Sequence, residues 1–264
     1  MITCVLKGGL GNIMFQMAAL EYMSYTSGIP KYYYNLNYHI NLLHSFSGWP
    51  EYKQLQYAHE YLTIFKNLKL FGEQGSFDEM IQVPFRYVEL DIKDNTCYDG
   101  FFQSEKYFNN KSFIWNIFEP SDKIKTSLLK YNNILDGITC SLHVRRGDYV
   151  QRSNIHPVQN LNYYKNAIDS IGKVDRYIIF SDDIQWCKEN FNFNNMFFIE
   201  SERDYIELFL QSKCTHNIIA NSSFSWWGAW LNQYENKKVV APSRWFGDGF
   251  YDKIDIIPED WITI

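Results

Sequence analysis

Strand-like and helix-like segments alternate regularly from residue 138 to the end of the chain, and this alternation constrains the fold more than any other feature. Five short apolar runs are predicted strands: residues 138–145, 176–180, 196–200, 217–220 and 238–241. Residues 161–171 carry apolar side chains at helical spacing, and the capping-box-like residues 201–204 precede another helical segment. Repeated units of this kind predict an α/β fold with a parallel sheet, in which ligands bind beyond the carboxyl ends of the strands.

The N-terminal part of the chain opens with a similar unit. Residues 3–6 predict a strand, a glycine-rich turn follows, and residues 12–25 predict a helix before a second strand at residues 32–34. Residues 35–110 are irregular and rich in aromatic side chains, with short helical pieces such as SEKYF. The pattern therefore predicts a second α/β unit that continues into an irregular region.

A possible domain boundary follows this irregular region. Residues 121–133 predict a helix, and Asp136-Gly137 after it is typical of a break in structure. Domain boundaries fall where such a break separates two arrays of strands and helices. We therefore predict two domains, residues 1–135 and 136–264.

The composition excludes several classes of protein. The net charge is −5, so no overall basic field favours nucleic acid or an anionic membrane, and a bound anion needs a local cluster. The five cysteines include no Cys-x-x-Cys pair, which indicates free thiols rather than disulfides or a zinc site. No stretch reaches the ~18 apolar residues of a membrane helix, so we expect no integral membrane segment and a cytoplasmic protein. The aromatic content of 18% suits core packing or contact with sugar rings.

The glycine-rich stretch KGGLGNIMFQ, residues 7–16, lies between a predicted strand and a predicted helix. The backbone N–H groups of such a turn, with the N-terminus of the helix, favour a phosphate or another negative group. The stretch is not a P-loop because no Gly-Lys-Ser/Thr follows, and Met14 stands where a dinucleotide fingerprint has its third glycine. By itself the pattern fits a ligand loop and a tight structural turn equally well.

Two adjacent arginines close the first strand of the C-terminal array, in the stretch SLHVRRGDYV. Side chains alternate along a strand, so His143 and Arg145 share one face while Arg146 lies on the other. One arginine can therefore project to a bound anion while its neighbour pairs with a carboxylate inside the fold. Arginine suits a diphosphate because its planar guanidinium donates bidentate hydrogen bonds. The alternative for either arginine is a structural ion pair with Asp148.

Two further motifs lie where predicted strands end. Asp182 and Asp183 follow the second strand of this array, where a carboxylate can bind ribose hydroxyls or the edge of guanine, or can cap the next helix. The stretch NSSFSWWGAWL, residues 221–231, begins with side chains typical of an N-cap, and these can hold a phosphate together with the helix amides. Its tryptophans recur at helical spacing, which predicts packing in the core.

Four motifs thus stand in order along the chain: GGLGNIMFQ, HVRRGDY, FSDD and NSSFSWWGAWL. Together with GFFQSEKYF at residues 100–108, they resemble the alpha-1,2-fucosyltransferases, relatives of the alpha-1,6- and protein O-fucosyltransferases. The resemblance implies a GT-B glycosyltransferase with two Rossmann-like domains facing across a cleft, an N-terminal acceptor-side domain and a C-terminal GDP-fucose-binding domain. It implies transfer of L-fucose from GDP-fucose to the 2-hydroxyl of a galactose in a glycan acceptor, with inversion and without a metal or cofactor.

The resemblance also implies which residues form the site. Arg145 contacts the GDP phosphates and acts in catalysis with Asn12. The implied donor-binding residues are Gly9, Gly11, His143, Arg145, Asp183, Ser222, Ser223 and Phe224. The related alpha-1,6 enzymes place a glutamate shortly after the doubled arginine, whereas residues 151–154 of this chain contain no carboxylate. We therefore assign no general base, and name only Asp148 and Glu105 as candidates.

Two alternatives stay open from the sequence. One is a GDP-fucose-dependent fucosyltransferase of another linkage, alpha-1,6 or protein O-linked. The other is a nucleotide- or glycan-binding module without turnover, although every donor-directed residue expected of the enzyme is present. The sequence determines neither the acceptor glycan nor the oligomeric state.

Overall fold

The computed structural model describes residues 1–32, 63–68, 77–191, 195–249 and 255–264. The chain divides into two compact units, which are Met1–Ile124 with Lys253–Pro258, and Lys125–Asp252 with Glu259–Ile264. The sequence placed the division between residues 135 and 136, and no local pattern indicated that a short C-terminal piece belongs to the first unit. Within the described residues, none of the helices has the length and apolar character needed to cross a membrane.

Unit 1 contains a parallel sheet of three short strands. These are β1 (Ile2–Cys4), β2 (Glu79–Gln82) and β3 (Thr96–Asp99), in the order β1-β3-β2. The helix α1 (Leu10–Ser27) follows β1, which confirms the predicted opening strand and helix. Of the strand predicted at residues 32–34, residues 33 and 34 lie outside the described part of the chain, and Ile2 forms a parallel bridge with Lys31.

Short helices lead from unit 1 to unit 2. They are a 3₁₀ turn at Glu105–Phe108, α2 (Lys111–Ile117), α3 (Asp122–Leu128), a 3₁₀ turn at Leu129–Tyr131 and α4 (Asn132–Leu135). The SEKYF segment is helical as expected, and Ser104 caps it by accepting a hydrogen bond from the backbone N–H of Lys106. The single helix predicted at residues 121–133 forms instead as α3, the second 3₁₀ turn and α4 in succession.

The described part of unit 2 contains a sheet of six parallel strands. They are β4 (Thr139–Val144), β5 (Arg176–Ser181), β6 (Met196–Phe198), β7 (His216–Ile218), β8 (Val239–Ala241) and β9 (Ile262–Thr263). Their spatial order is β6-β5-β4-β7-β8-β9. The five predicted strands and their parallel pairing are confirmed, while β9 was not predicted.

Among the residues that the structure describes from residue 139 onward, five helices accompany this sheet. They are α5 (Gly147–Gln151), α6 (Leu161–Ile171), α7 (Ile184–Asn190), α8 (Asp204–Lys213) and α9 (Ser223–Trp230). The predicted capping box at residues 201–204 was wrong, because α8 begins after Arg203 and that residue makes no side-chain cap. The tryptophans of α9 pack in the core as predicted, and the rings of Trp226 and Trp227 meet at 5.0 Å with no exposed surface.

The strand order of unit 2 locates its candidate site. The strands β5 and β6 extend the sheet from one side of β4, and β7, β8 and β9 extend it from the other. All six residues of β4 are buried, as expected for a central strand covered on both faces. In doubly wound sheets, ligands bind beyond the carboxyl ends of the strands where the order reverses. In unit 2 this switch point lies between β4 and β7.

Candidate functional site

The glycine turn of unit 1 brings two of the sequence motifs together. Asn12 lies in the first turn of α1, and its Oδ1 accepts a hydrogen bond from Gln103 Nε2 at 2.7 Å. Gln103 belongs to the GFFQ motif and is 6% exposed, so the partner that orients Asn12 is buried. Gly9 is the N-cap of α1, Gly11 is buried within it, and no side chain caps the helix. The joint action of Asn12 and Arg145 stays a prediction.

The shape of the turn depends on Gly8. Its φ of +86° is left-handed, and a Cβ added there would lie 2.4 Å from Asn12 Nδ2. The Asn12 amide therefore packs directly over the backbone of Gly8. Gln16 also stabilises the turn through its side-chain amide. Its Oε1 accepts a hydrogen bond from the N–H of Lys7 at 2.8 Å, and its Nε2 donates to the carbonyl of Lys7 at 3.0 Å.

Arg145 directly follows β4 at the switch point of unit 2. Its Nη2 donates to Asp148 Oδ1 at 2.6 Å, and its Nη1 lies 3.0 Å from Asp182 Oδ2. The guanidinium also lies 5.3 Å from the centre of the Tyr149 ring. The ion pair with Asp148 considered from the sequence is therefore present. Because the Arg145 side chain is 31% exposed and that of Asp148 is 51% exposed, a stronger anion can compete for this guanidinium.

Arg146 has different surroundings. Its Nε donates to Asp183 Oδ2 at 3.0 Å, and its guanidinium lies 4.1 Å from the centre of the Trp186 ring. The side chain is 21% exposed. Arg146 thus pairs with a carboxylate, as expected for one of the two arginines, but the partner is Asp183 rather than Asp148 and its side chain is 37% exposed.

The two aspartates after β5 have separate positions. Asp183 caps α7, as predicted for one of the pair, and its Oδ1 accepts from the N–H of Trp186. Asp182 accepts from the backbone N–H of Arg146 at 2.9 Å. This close approach requires Gly147, because a Cβ at that position would lie 2.4 Å from Asp182 Oδ2. The contact of Asp183 with a guanine or ribose stays a prediction.

His143 and Phe224 come from different motifs and meet in unit 2. His143 lies on β4 and is 4% exposed, and its ring centre is 5.4 Å from that of Phe224. Burial, followed by the charge of Arg145, lowers the pKa of His143 to about 3. The imidazole is therefore neutral, and its Nδ1 has no hydrogen-bond partner among the described residues.

The N-terminus of α9 lies beyond β7, on the other side of the switch point. Ser222 is the N-cap and Ser223 the first helical residue, and the Ser222 side chain makes no hydrogen bond to the helix backbone. Asn221 before them is structural, because its Nδ2 donates to the carbonyls of Pro157 and Trp245. The two serines thus lie on a helix start whose position is set by Asn221, and their contact with phosphate stays a prediction.

Glu207 on α8 is a half-buried carboxyl group that the sequence reasoning missed. Burial, followed by the charges of Asp204, Glu202 and Asp182, raises the pKa of Glu207 to about 8. Glu207 lies near the start of α8, the helix that follows β6 in the chain. The available signal was the run YIELFL, in which one carboxylate stands among apolar residues.

Neither candidate base is singled out by the geometry. Asp148 is engaged with Arg145, and Glu105 lies 4.0 Å from Lys111 Nζ at the surface of unit 1.

In the part of the chain that the structure describes, no group of three or more His, Cys, Asp or Glu side chains is placed to hold a metal ion. The five cysteines are free thiols in this structure, and all of them are buried.

The fold and the switch-point residues define a doubly wound α/β protein whose second unit presents an arginine and a helix N-terminus at one sheet edge. This class binds nucleotides at that position. The chain belongs to glycosyl transferase family 11, whose model matches residues 1–264. The family expected from the motifs is confirmed, and it is a family of GDP-fucose-type fucosyltransferases.

Relatives of known name agree with this family. The chain is 30% identical to an Escherichia coli protein named O-antigen biosynthesis glycosyltransferase WbnK, over the whole of both chains. It is 35% identical to an Escherichia coli alpha-1,2-colitosyltransferase over 66% of this chain and 64% of that one. It is 28% identical to the Bos taurus galactoside alpha-(1,2)-fucosyltransferase 1 over 47% of this chain and 38% of that one.

Solved structures share the fold. A crystal structure of the fucosyltransferase NodZ from Bradyrhizobium superposes with a TM-score of 0.51 at 12% identity, covering 86% of this chain and 91% of that one. A structure of NodZ alpha-1,6-fucosyltransferase soaked with GDP-fucose gives a TM-score of 0.50, covering 87% and 92%. At this identity the likeness concerns the fold alone, and it confirms the α/β GT-B class.

Proposed function

We propose that this chain transfers L-fucose from GDP-fucose to the 2-hydroxyl of a galactose in a glycan acceptor, with inversion at the anomeric carbon. The observation that carries the proposal is the position of Arg145, directly after β4 at the switch point of the parallel sheet. The relatives named for alpha-1,2 transfer support the linkage. The Bos taurus relative supports galactose as the acceptor sugar.

The reaction breaks the bond between C1 of fucose and the phosphate oxygen, so positive charge develops on the sugar and negative charge on GDP. Arg145 and the N-terminal amides of α9 stabilise that leaving group electrostatically. A diphosphate carries more charge than a carboxylate, so it displaces the exposed Asp148 from the guanidinium. The acceptor oxygen then attacks C1 from the opposite face, and its hydroxyl proton passes to a base that we do not assign.

We further propose that the reaction needs no metal ion, because Arg145 supplies the positive charge that a divalent cation would otherwise provide. The test is the initial rate of the purified protein in excess EDTA. Unchanged turnover supports the proposal, whereas complete loss on chelation with recovery on adding Mn²⁺ or Mg²⁺ contradicts it.

Donor binding and turnover are tested separately. Thermal melting with GDP and with free fucose distinguishes a nucleotide-directed site from a fucose lectin. A ligand at 100 times its Kd adds about 2.7 kcal/mol to the free energy of unfolding. Stabilisation by GDP without product formation from any of several galactose-ended acceptors favours the module without turnover.

Product analysis decides the linkage and the donor sugar. A product with fucose on O2 of galactose supports the proposal, and transfer only to O6 of a glucosamine or to a peptide hydroxyl contradicts it. The alpha-1,2-colitosyltransferase relative makes GDP-colitose the second candidate donor. Initial rates with GDP-fucose and GDP-colitose on the same acceptor, compared as kcat/KM, decide between them.

A further inference from the structure

Two groups of unit 2 are proposed above to stabilise the diphosphate, the Arg145 guanidinium and the N-terminus of α9. Tyr149 contacts the first of them and the residue next to the second. Its ring lies 5.3 Å from the Arg145 guanidinium, and its hydroxyl donates to the carbonyl of Asn221 at 3.1 Å. Asn221 is the residue before Ser222, the N-cap of α9. One side chain therefore spans from the arginine after β4 to the helix that begins after β7.

The Tyr149 ring also packs against other aromatic side chains. The His156 ring stacks on it with centres 4.6 Å apart and planes at 16°, and the Phe246 ring lies 5.6 Å from that of His156. The segments that carry these two rings meet at their backbones, because the N–H of Gly247 donates to the carbonyl of Ile155. The position of the Tyr149 ring is therefore set by packing as well as by its hydroxyl.

The hydroxyl of Tyr149 remains a hydrogen-bond donor in neutral solution. Burial raises the pKa of Tyr149 to about 12, and the charge of Arg145 acts in the other direction. The bond to the Asn221 carbonyl therefore persists over the pH range in which such an enzyme is assayed. A protonated phenol also keeps a neutral ring against the guanidinium, where cation–π attraction applies.

We propose that Tyr149 is a positioning residue, which holds the Arg145 guanidinium at a fixed place relative to the N-terminus of α9. The inference rests on the proposed function, in which these two groups share the charge of one diphosphate. Without the Tyr149 ring, Asp148 and Asp182 are the remaining groups named here that position Arg145. Without the hydroxyl, the ring loses its hydrogen bond to Asn221, next to the N-cap of α9. Tyr149 itself need not touch the nucleotide.

The test compares Tyr149→Phe and Tyr149→Leu with the wild-type protein by calorimetric titration with GDP and by the kcat and KM for GDP-fucose. Removing the hydroxyl alone should weaken GDP binding about fivefold, and removing the ring should weaken it about 30-fold. The matched control is Tyr163→Phe. Tyr163 also donates its hydroxyl to the connection after β7, at the Ile219 carbonyl, but it lies in the core. This control should lower the melting temperature without changing GDP affinity.

A double-mutant cycle separates positioning from general stability. If Tyr149 acts through Arg145, the variant with both Tyr149→Phe and Arg145→Lys should bind GDP no more weakly than Arg145→Lys alone. Additive losses overturn the inference, as does wild-type GDP affinity in Tyr149→Phe. If Tyr149→Leu does not fold, the cycle with Tyr149→Phe still decides. Absence of GDP binding by the wild-type protein would instead contradict the proposed function.

Discussion

Arg145 and Arg146 are adjacent in the sequence, yet each has its own partners. Arg145 lies between two carboxylates, one of which, Asp148, is exposed to solvent. Arg146 is joined to Asp183 on one side and covers the face of Trp186 on the other. A guanidinium with an exchangeable partner suits ligand binding, whereas one enclosed by an aromatic ring and a capping aspartate suits structure.

These surroundings predict different results for the two arginines. Arg145→Lys keeps the charge but loses the planar fork, so we expect a stable protein whose turnover falls by about 100-fold or more. Arg146→Ala leaves Asp183 unpaired and uncovers Trp186, so we expect a loss of about 1–2 kcal/mol in the free energy of unfolding, together with lower activity. Melting curves and initial rates measure both, with the exposed Arg152→Ala as control. Full activity in Arg145→Lys, or unchanged stability in Arg146→Ala, would contradict the assignment.

Glu207 predicts a pH dependence of stability. Its pKa in the folded protein, about 8, lies above the ordinary value of 4.5, so the folded state holds a proton that the unfolded state releases. This contribution to stability is complete below pH 4.5 and is lost as the pH rises through 8, at a slope of at most about 1.4 kcal/mol per pH unit. Urea midpoints from pH 5 to 9 should show a smaller decline for Glu207→Gln than for the wild-type protein. The exposed Glu259→Gln should follow the wild type, and parallel curves for all three proteins would refute the prediction.

At the scale of elements, the turn before α1 shows how one backbone conformation sets a side chain. Gly8 has a left-handed φ and lies under the amide of Asn12, whereas Gly9 has an ordinary φ of −75° and no heavy atom within 4 Å of an added Cβ. The two neighbouring glycines therefore differ in whether a side chain can be added at their position, although the motif GGLGN does not distinguish them.

A matched pair of alanine substitutions tests this difference. Gly8→Ala should cost about 1–2 kcal/mol of unfolding free energy, because an L-residue is strained at this φ and the new methyl group displaces Asn12. Gly9→Ala should change the stability little, since its Cβ meets no neighbour. Chemical denaturation of both variants measures the two costs. Equal denaturation midpoints would show that the turn has a different conformation in solution.

The elements of unit 2 were the most predictable part of the chain. Buried parallel strands read as short apolar runs, and the five predicted runs each contain most of a strand. The helix at DYIELFLQ begins at Asp204 as predicted, but Ser201, with a φ of +60°, does not cap it. Local propensity indicates that a helix is near, but whether a side chain caps it depends on how the preceding loop is held.

At the scale of the whole molecule, residues 261–264 add the strand β9 to the sheet of unit 2. Trp261 is 7% exposed, and its ring lies 5.5 Å from that of the fully buried Trp226. The next residue, Ile262, begins β9 and is 38% exposed. Trp261 therefore packs in the core of unit 2 while Ile262 does not, and Ile264 packs against the core cluster as well.

Substitutions at these two neighbouring positions should have very different effects. Trp261→Ala removes a large buried ring that packs against Trp226, and it should lower the free energy of unfolding by about 3–5 kcal/mol. Ile262→Ala, one residue further on and half exposed, should cost less than about 1 kcal/mol. Thermal and urea unfolding of both variants provide the comparison. A small effect at Trp261 would mean that the terminal segment is dispensable for unit 2.

The sequence by itself determined the α/β class, the strands of the C-terminal array and the family, because burial periodicity and ordered motifs are local properties of the chain. Only the tertiary structure decided that Asp148 pairs with Arg145 and Asp183 with Arg146. It also decided that Tyr149 reaches the carbonyl of Asn221, 72 residues away along the chain. The contacts of Arg146 with Asp183 and of Tyr149 with Asn221 depend on strand order and loop packing, which bring distant residues together, and no periodicity along the sequence encodes that order. Asp148 is only three residues from Arg145, so the sequence offered that pair, but it left the partner of each arginine open.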